Sequence, residues 1–121
     1  MQDRRTSVTV SHIAGSSGQP ITALRFSGDI TSTSKEAVLA SYQGLRPEVT
    51  RIVLDFSKVE YINSSGIALI IQVLMQARNT GRSVQTFGLS DHFRKVFAMV
   101  GITKYTDLHA DELSACAAFA E

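Results

Sequence analysis

Apolar and polar positions alternate along residues 6–13, TSVTVSHI, where β-branched types dominate, and this pattern predicts a half-buried strand. Two glycines and a proline in AGSSGQP, residues 14–20, then break the pattern and predict a loop. Alternation resumes over ITALRFS, residues 21–27, with Ile21 and Ala23 on one face and Leu24 and Phe26 competing for the inner side. A hairpin is the simplest pairing of these two strands. Helical spacing follows in TSTSKEAVLASYQGLRP, residues 31–47, where Val38, Leu39, Tyr42 and Leu45 recur and Pro47 closes the element. Thr33 and Glu36, three apart, have capping-box spacing for its start.

The run RIVLDFS, residues 51–57, is a short β-rich apolar run around Ile52, Val53, Leu54 and Phe56, and predicts a central strand covered on both faces. A second helix is expected from about Asn63 to Thr80, stopped by Gly81. Its stripe is Ile67, Ile70, Ile71 and Leu74, widened by Leu69, Val73 and Met75, while Gln72, Gln76 and Asn79 form the wet side. SVQTFGL, residues 83–89, predicts another strand. Ser90 or Asp91 caps a third helix with Phe93, Val96, Phe97 and Val100 inward and Gly101 as its stop. KYTDLH, residues 104–109, predicts a short last strand, and the Ala-rich stretch after Ala110 a terminal helix docking through Ala115 and Ala118. The order β-β-α-β-α-β-α-β-α implies an α/β domain over residues 1–121. It has a mixed, mostly parallel sheet of four to five strands packed by about four helices.

Composition narrows the function. The 121 residues are 44% hydrophobic and 19% charged, with a net charge of +1 and no basic run, which argues against nucleic acid as a partner. The apolar run from Ile67 is far shorter than the about 20 residues a spanning helix needs, so direct membrane insertion is not expected. The N-terminus shows no signal-like stretch, and Cys116 is a lone cysteine, so a cytoplasmic protein with an inert thiol is expected. His12, His92 and His109 lie in no catalytic motif and the nucleophile elbow is missing, so the chain is not expected to be an enzyme. No spacing supplies a metal site, and GSSG at 15–18 lacks the Lys-Ser/Thr of a phosphate-binding loop, so no cofactor is expected.

The turn Asn63-Ser64-Ser65-Gly66 is different. Asn63 can cap the second helix by accepting from the N–H of Ser65 or Gly66, with the serines merely tolerated in the first turn. Yet one cap suffices, and Gly66 in a first turn costs about 1 kcal/mol relative to alanine. A phosphoryl group on Ser65 would instead place about 1.5 to 2 negative charges at the positive end of the helix, with Gly66 leaving room for an approaching active site.

From RIVLDFS to KYTDL the chain resembles the STAS domain of bacterial anti-sigma-factor antagonists. The residues that carry the resemblance are DFS at 55–57, NSSGI at 63–67, Gly81, and the F(R/K)xxFxxxG(I/L) pattern from Phe93 to Ile102. FSGDIT at 26–31 resembles the family's segment before its first helix. The resemblance implies a non-enzymatic switch. The unphosphorylated protein binds an anti-sigma factor that is also a serine kinase; phosphorylation of the second serine, here Ser65, breaks the complex, and a serine phosphatase resets it. Ser64 is a minor candidate acceptor. The implied partner surface is Asn63, Ser64, Ser65 and Gly66 with Gly28, Asp29, Thr31 and Thr33. The alternative is a STAS interaction module without phosphorylation, serving as a signalling scaffold or an accessory subunit of a transporter complex. Asn63 and Thr31 both stand where the family commonly has Asp, which removes negative charge beside Ser65 and bears on kinase recognition or on the orientation of Ser65.

Overall fold

The structure is a computed structural model, and it describes residues 5–14 and 19–119. The proposed loop at 15–18 and both chain ends lie outside the described part. Strands β1 (Ser7–Ala14), β2 (Pro20–Ser27), β3 (Arg51–Lys58), β4 (Ser83–Phe87) and β5 (Asp107–His109) form one sheet in chain order. β1 and β2 pair antiparallel, Val8 opposite Phe26 and Ile13 opposite Ile21, and every later pair is parallel. Helices α1 (Lys35–Gln43), α2 (Ser64–Asn79), α3 (Asp91–Met99) and α4 (Glu112–Ala117) complete the α/β fold.

The competition within β2 is resolved by burying both of its faces. Leu24 and Phe26 join Ile52, Leu54, Phe56 and Val84 in the main core under α1, α2 and α3. Ile21 and Ala23 join Val53 and Phe87 in a smaller core closed by Ala115 and Phe119. Consecutive right-handed crossovers between adjacent parallel strands put the first three helices on one face, and α4 turns back beneath the other. Phe26 stacks on Phe56 with ring centroids 5.0 Å apart, and Phe97 meets Phe56 edge-on at 5.7 Å.

Several expectations change in detail. The start of α1 is organised by Thr31 and Ser34 rather than Thr33 and Glu36. Thr31 N–H donates to Ser34 Oγ at 2.8 Å, and Thr33 N–H donates to Thr31 Oγ1, over a 3-10 turn at Ser32–Ser34 that precedes the helix. Ser34 wins because it is buried, bonded to Thr6 Oγ1 and to the Asp29 carbonyl, whereas Glu36 is exposed. α1 also ends at Gln43, short of Pro47, with Gly44 as its cap. The buried stripe of α2 is Gly66, Leu69, Ile70, Val73, Leu74 and Ala77, with Ile67 and Ile71 at its margin and Met75 exposed. Val100 is exposed, because α3 ends at Met99 and the chain turns through the left-handed Gly101. The last strand keeps only Asp107–His109, since Ile102–Lys104 tightens into a 3-10 turn that buries Ile102.

Candidate functional site

The Asn63–Gly66 turn sits at the C-terminal end of the sheet, where β2 and β3 release the chain. A left-handed Gly28, φ 82°, swings the backbone out of β2. Ile30 then makes a one-residue parallel bridge to Ile62: Ile30 N–H donates to the Tyr61 carbonyl at 3.0 Å, and Asn63 N–H donates to the Ile30 carbonyl at 3.1 Å. Both isoleucines are buried in the main core. The loop 28–33 and the start of α2 are thus one framework.

Asn63 is extended, and its Oδ1 accepts from Gly66 N–H at 2.9 Å, one of the two cap bonds expected. Gly66 is buried, and its role is not the one anticipated. A Cβ built on it would lie 2.2 Å from the Ile30 carbonyl oxygen and 2.9 Å from Ile62 Cγ2. The glycine lets α2 close onto the 28–33 loop, and no space for an incoming active site is left at it. Ser64 and Ser65 are exposed, and neither hydroxyl has a hydrogen-bond partner among the described residues.

Ser65 opens onto a groove of about 270 Å³ between α1 and α2, walled by Thr31, Ser32, Lys35, Ala68, Leu69 and Gln72. Of the residues expected at the partner surface, Ser65 and Thr31 share this groove. Thr33 lines a separate hollow along the outer side of α1, and Asn63, Ser64, Gly66, Gly28 and Asp29 frame the region without lining the groove. Lys35 and Ala68 were not singled out in the sequence, and Gln72 was read only as part of the wet side of α2. Their signal was there: Lys35 opens α1, while Ala68 and Gln72 stand three and seven residues after Ser65, on its side of α2.

DFS at 55–57 supports this end of the sheet from the opposite face. Asp55 Oδ1 accepts from the N–H and hydroxyl of Ser57 at 2.8 and 2.6 Å, and Arg25 Nη1 donates to Asp55 Oδ2 at 2.9 Å. The same guanidinium reaches Glu112 Oε1 on α4 at 2.7 Å. Glu112 and Asp55 together hold Arg25 protonated beyond its ordinary range. Gly88, at φ 89°, lies so close to Ser57 that a Cβ would meet its nitrogen at 2.7 Å. The buried Asp55 is therefore fully occupied in holding the end of β3.

The remaining candidate chemistry disperses. His12 and His92 are exposed, and His109 Nε2 pairs with Gln85 Oε1 at 2.8 Å, so none of the three borders the Ser65 groove. Burial, reinforced by Glu112, pushes the Cys116 thiol up, away from the reactive thiolate. Among the described residues no three His, Cys, Asp or Glu side chains are grouped to hold a metal ion. No described helix is long and apolar enough to cross a membrane.

A family described as "Mlab, STAS domain" matches residues 15–110. The chain belongs to the STAS domain family. Over 69 residues it is 30% identical to BtrV of Bordetella bronchiseptica, named as an anti-sigma factor antagonist; the match spans 57% of this chain and 60% of that relative. An anti-sigma factor antagonist from Mycobacterium paratuberculosis superposes with a TM-score of 0.71 at 20% identity, covering 99% of this chain and 98% of that one. SpoIIAA in its unphosphorylated form gives 0.64 at 17% identity, over 89% of this chain and 92% of its own. Its phosphorylated form, described as a Bacillus cell fate determinant, gives 0.63 at 18% identity, over 89% and 96%. At these identities the structural likeness establishes the STAS fold. These relatives are named as anti-sigma factor antagonists, and what the chain shares with them is the STAS domain.

Proposed function

We propose that this STAS protein is an anti-sigma-factor antagonist, binding a cognate anti-sigma factor with serine kinase activity while Ser65 is unphosphorylated and released when Ser65 is phosphorylated. One observation carries the reading. Ser65 is an exposed hydroxyl with no structural partner among the described residues, on the first turn of a helix anchored by Leu69, Ile70, Val73 and Leu74. Capping is done by Asn63 alone, so the hydroxyl is available and held in place. In the transfer, the γ-phosphoryl group of ATP bonds to Ser65 Oγ as its bond to ADP breaks, and the hydroxyl proton passes to a base of the kinase. The added charge then stands in the middle of the docking surface and opposes rebinding. A serine phosphatase returns the hydroxyl by hydrolysis. The partner surface combines Asn63, Ser64 and Ser65 with Gly28, Asp29, Thr31 and Thr33, while the buried Gly66 holds the turn against Ile30 from beneath, and the setting is the cytoplasm.

The test is incubation with ATP and an anti-sigma factor/kinase pulled down from the source organism, followed by site mapping. Phosphate on Ser65, together with loss of binding in Ser65→Asp and its retention in Ser65→Ala, is the expected result. An unmodified Ser65, with Ser65→Asp binding normally, overturns it. A second reading is favoured by the neutral side chains at Asn63 and Thr31, where the family commonly has Asp. Under it, the same surface is a permanent interaction module in a scaffold or a transporter complex. Stable co-purification with membrane ATPase components, in place of a soluble kinase, distinguishes it.

A further inference from the structure

Among the described residues that line the groove beside Ser65, one is charged. Lys35 stands on its α1 wall, and the other walls are the hydroxyls of Thr31 and Ser32, the amide of Gln72, and the apolar Ala68 and Leu69. Lys35 is exposed and makes no ion pair among the described residues. Lys35 and Ser32 also border the hollow on the outer side of α1, where Glu36 stands, and Glu36 does not line the Ser65 groove. The other charged groups near this end, Arg5, Asp29, Lys58 and Glu60, stand on the flanking segments and form none of the groove's walls. α2 contributes no charge to it.

We propose that Lys35 is the counter-cation of a phosphoryl group on Ser65, so that the phosphorylated protein folds its new charge into its own groove. This deepens the reading of Ser65 as the modified residue and rests on it. The groove of about 270 Å³ has room for a phosphoryl group. The flexible four-carbon stem of a lysine lets its ammonium follow the phosphate oxygens, and the hydroxyls of Thr31 and Ser32 can donate to the remaining lone pairs. A group drawn in this way does two things at once. It neutralises part of the charge that repels a partner, and it fills the groove the partner needs. Release then follows from occupancy of the groove as well as from repulsion. Lys35 has the opposite task in the unmodified protein, where its ammonium is free to meet a carboxylate of the partner.

Phosphoserine installed genetically at position 65 tests this without any kinase, so its outcome is separate from whether a cellular kinase modifies Ser65. The 31P resonance is followed through a pH titration of the intact protein. A nearby cation favours the dianion, so the phosphate in the parent chain should lose its second proton below the free value of about 6. Lys35→Met should move that midpoint up by about half a pH unit, Lys35→Arg should keep it low, and Lys104→Met, in a different hollow beside Leu74, Arg78 and Tyr105, should leave it unchanged. Sodium chloride at about 1 M should bring the parent and Lys35→Met titrations together. Superimposable titrations for the parent and Lys35→Met at low salt overturn the proposal. Equal shifts from Lys35→Met and Lys104→Met overturn it too, because they report net charge alone.

Discussion

Gly66 and Ile30 are packed so closely that a methyl group on the glycine would lie 2.2 Å from the isoleucine carbonyl oxygen. That carbonyl already accepts from Asn63 N–H and cannot retreat without breaking the bridge to Ile62. Gly66→Ala should therefore destabilise the protein although alanine is the better helix former. The overpacking cost is about 1–3 kcal/mol and outweighs the about 1 kcal/mol gained in propensity. Urea unfolding measures the net loss. Partner binding should fall further than stability does, because the displaced loop carries Thr31.

Asn63 offers a cleaner probe of the helix start. Asn63→Ala removes the bond to Gly66 N–H and should cost about 1 kcal/mol in thermal or chemical unfolding. Asn63→Asp keeps the bond and adds charge at the positive end of α2, which should stabilise by about 0.3–1 kcal/mol at low salt. The same substitution should disfavour a phosphoryl group on Ser65, two residues away. Faster and more complete phosphorylation of the Asn63→Asp variant by the cognate kinase would show that the carboxylate acts in recognition.

The Arg25 bridge ties α4 to the sheet. Arg25→Met leaves the nearly buried Asp55 without its cation, and since Arg25 itself is 30% exposed the full buried-pair penalty does not apply. A loss of about 2 kcal/mol is expected in denaturant unfolding. Glu112→Gln removes only the more exposed arm of the bridge and should cost less than about 1 kcal/mol.

The base of α4 should loosen in acid. Asp111 caps the helix by accepting from Ser114 N–H at 2.8 Å, which holds its carboxyl below the usual carboxylate range. A depressed folded-state value means the contribution is complete above the unfolded value of about 3.9 and is lost as pH falls through the folded one. The protection factor of the Ser114 amide, exchange relative to an unstructured peptide at the same pH, should fall across that window in the parent and stay constant in Asp111→Asn.

Cys116 reports the same docking from the other side. Its raised thiol and its place against the smaller core predict alkylation slower than that of a free cysteine at pH 8. Arg25→Met should speed the reaction by freeing α4. A rate in the parent equal to that of an unfolded peptide would show that α4 is not docked.

Much of this protein is legible in its sequence because its signals are local. The order of elements, the central strand at 51–57, the Asn63 cap and the isolated hydroxyl of Ser65 all follow from periodicity and capping chemistry within a few residues. The rest depended on contacts across the chain. Two capping pairs of equal spacing were available before α1, and the choice of Thr31 with Ser34 came from Thr6 and the Asp29 carbonyl, residues brought in by the sheet. A glycine in a first turn reads as a local cost, and only the Ile30 carbonyl turns it into a packing requirement. DFS reads as a strand end, and its aspartate needed Arg25, thirty positions earlier, to become a scaffold. Lys35 and Ser65 are far apart in the chain, so their shared groove exists only because α1 and α2 pack on one face of the sheet. The sequence by itself determined which residues cap, alternate and stay free; the tertiary structure decided which of them meet, because distance along the chain carries no record of proximity in the fold.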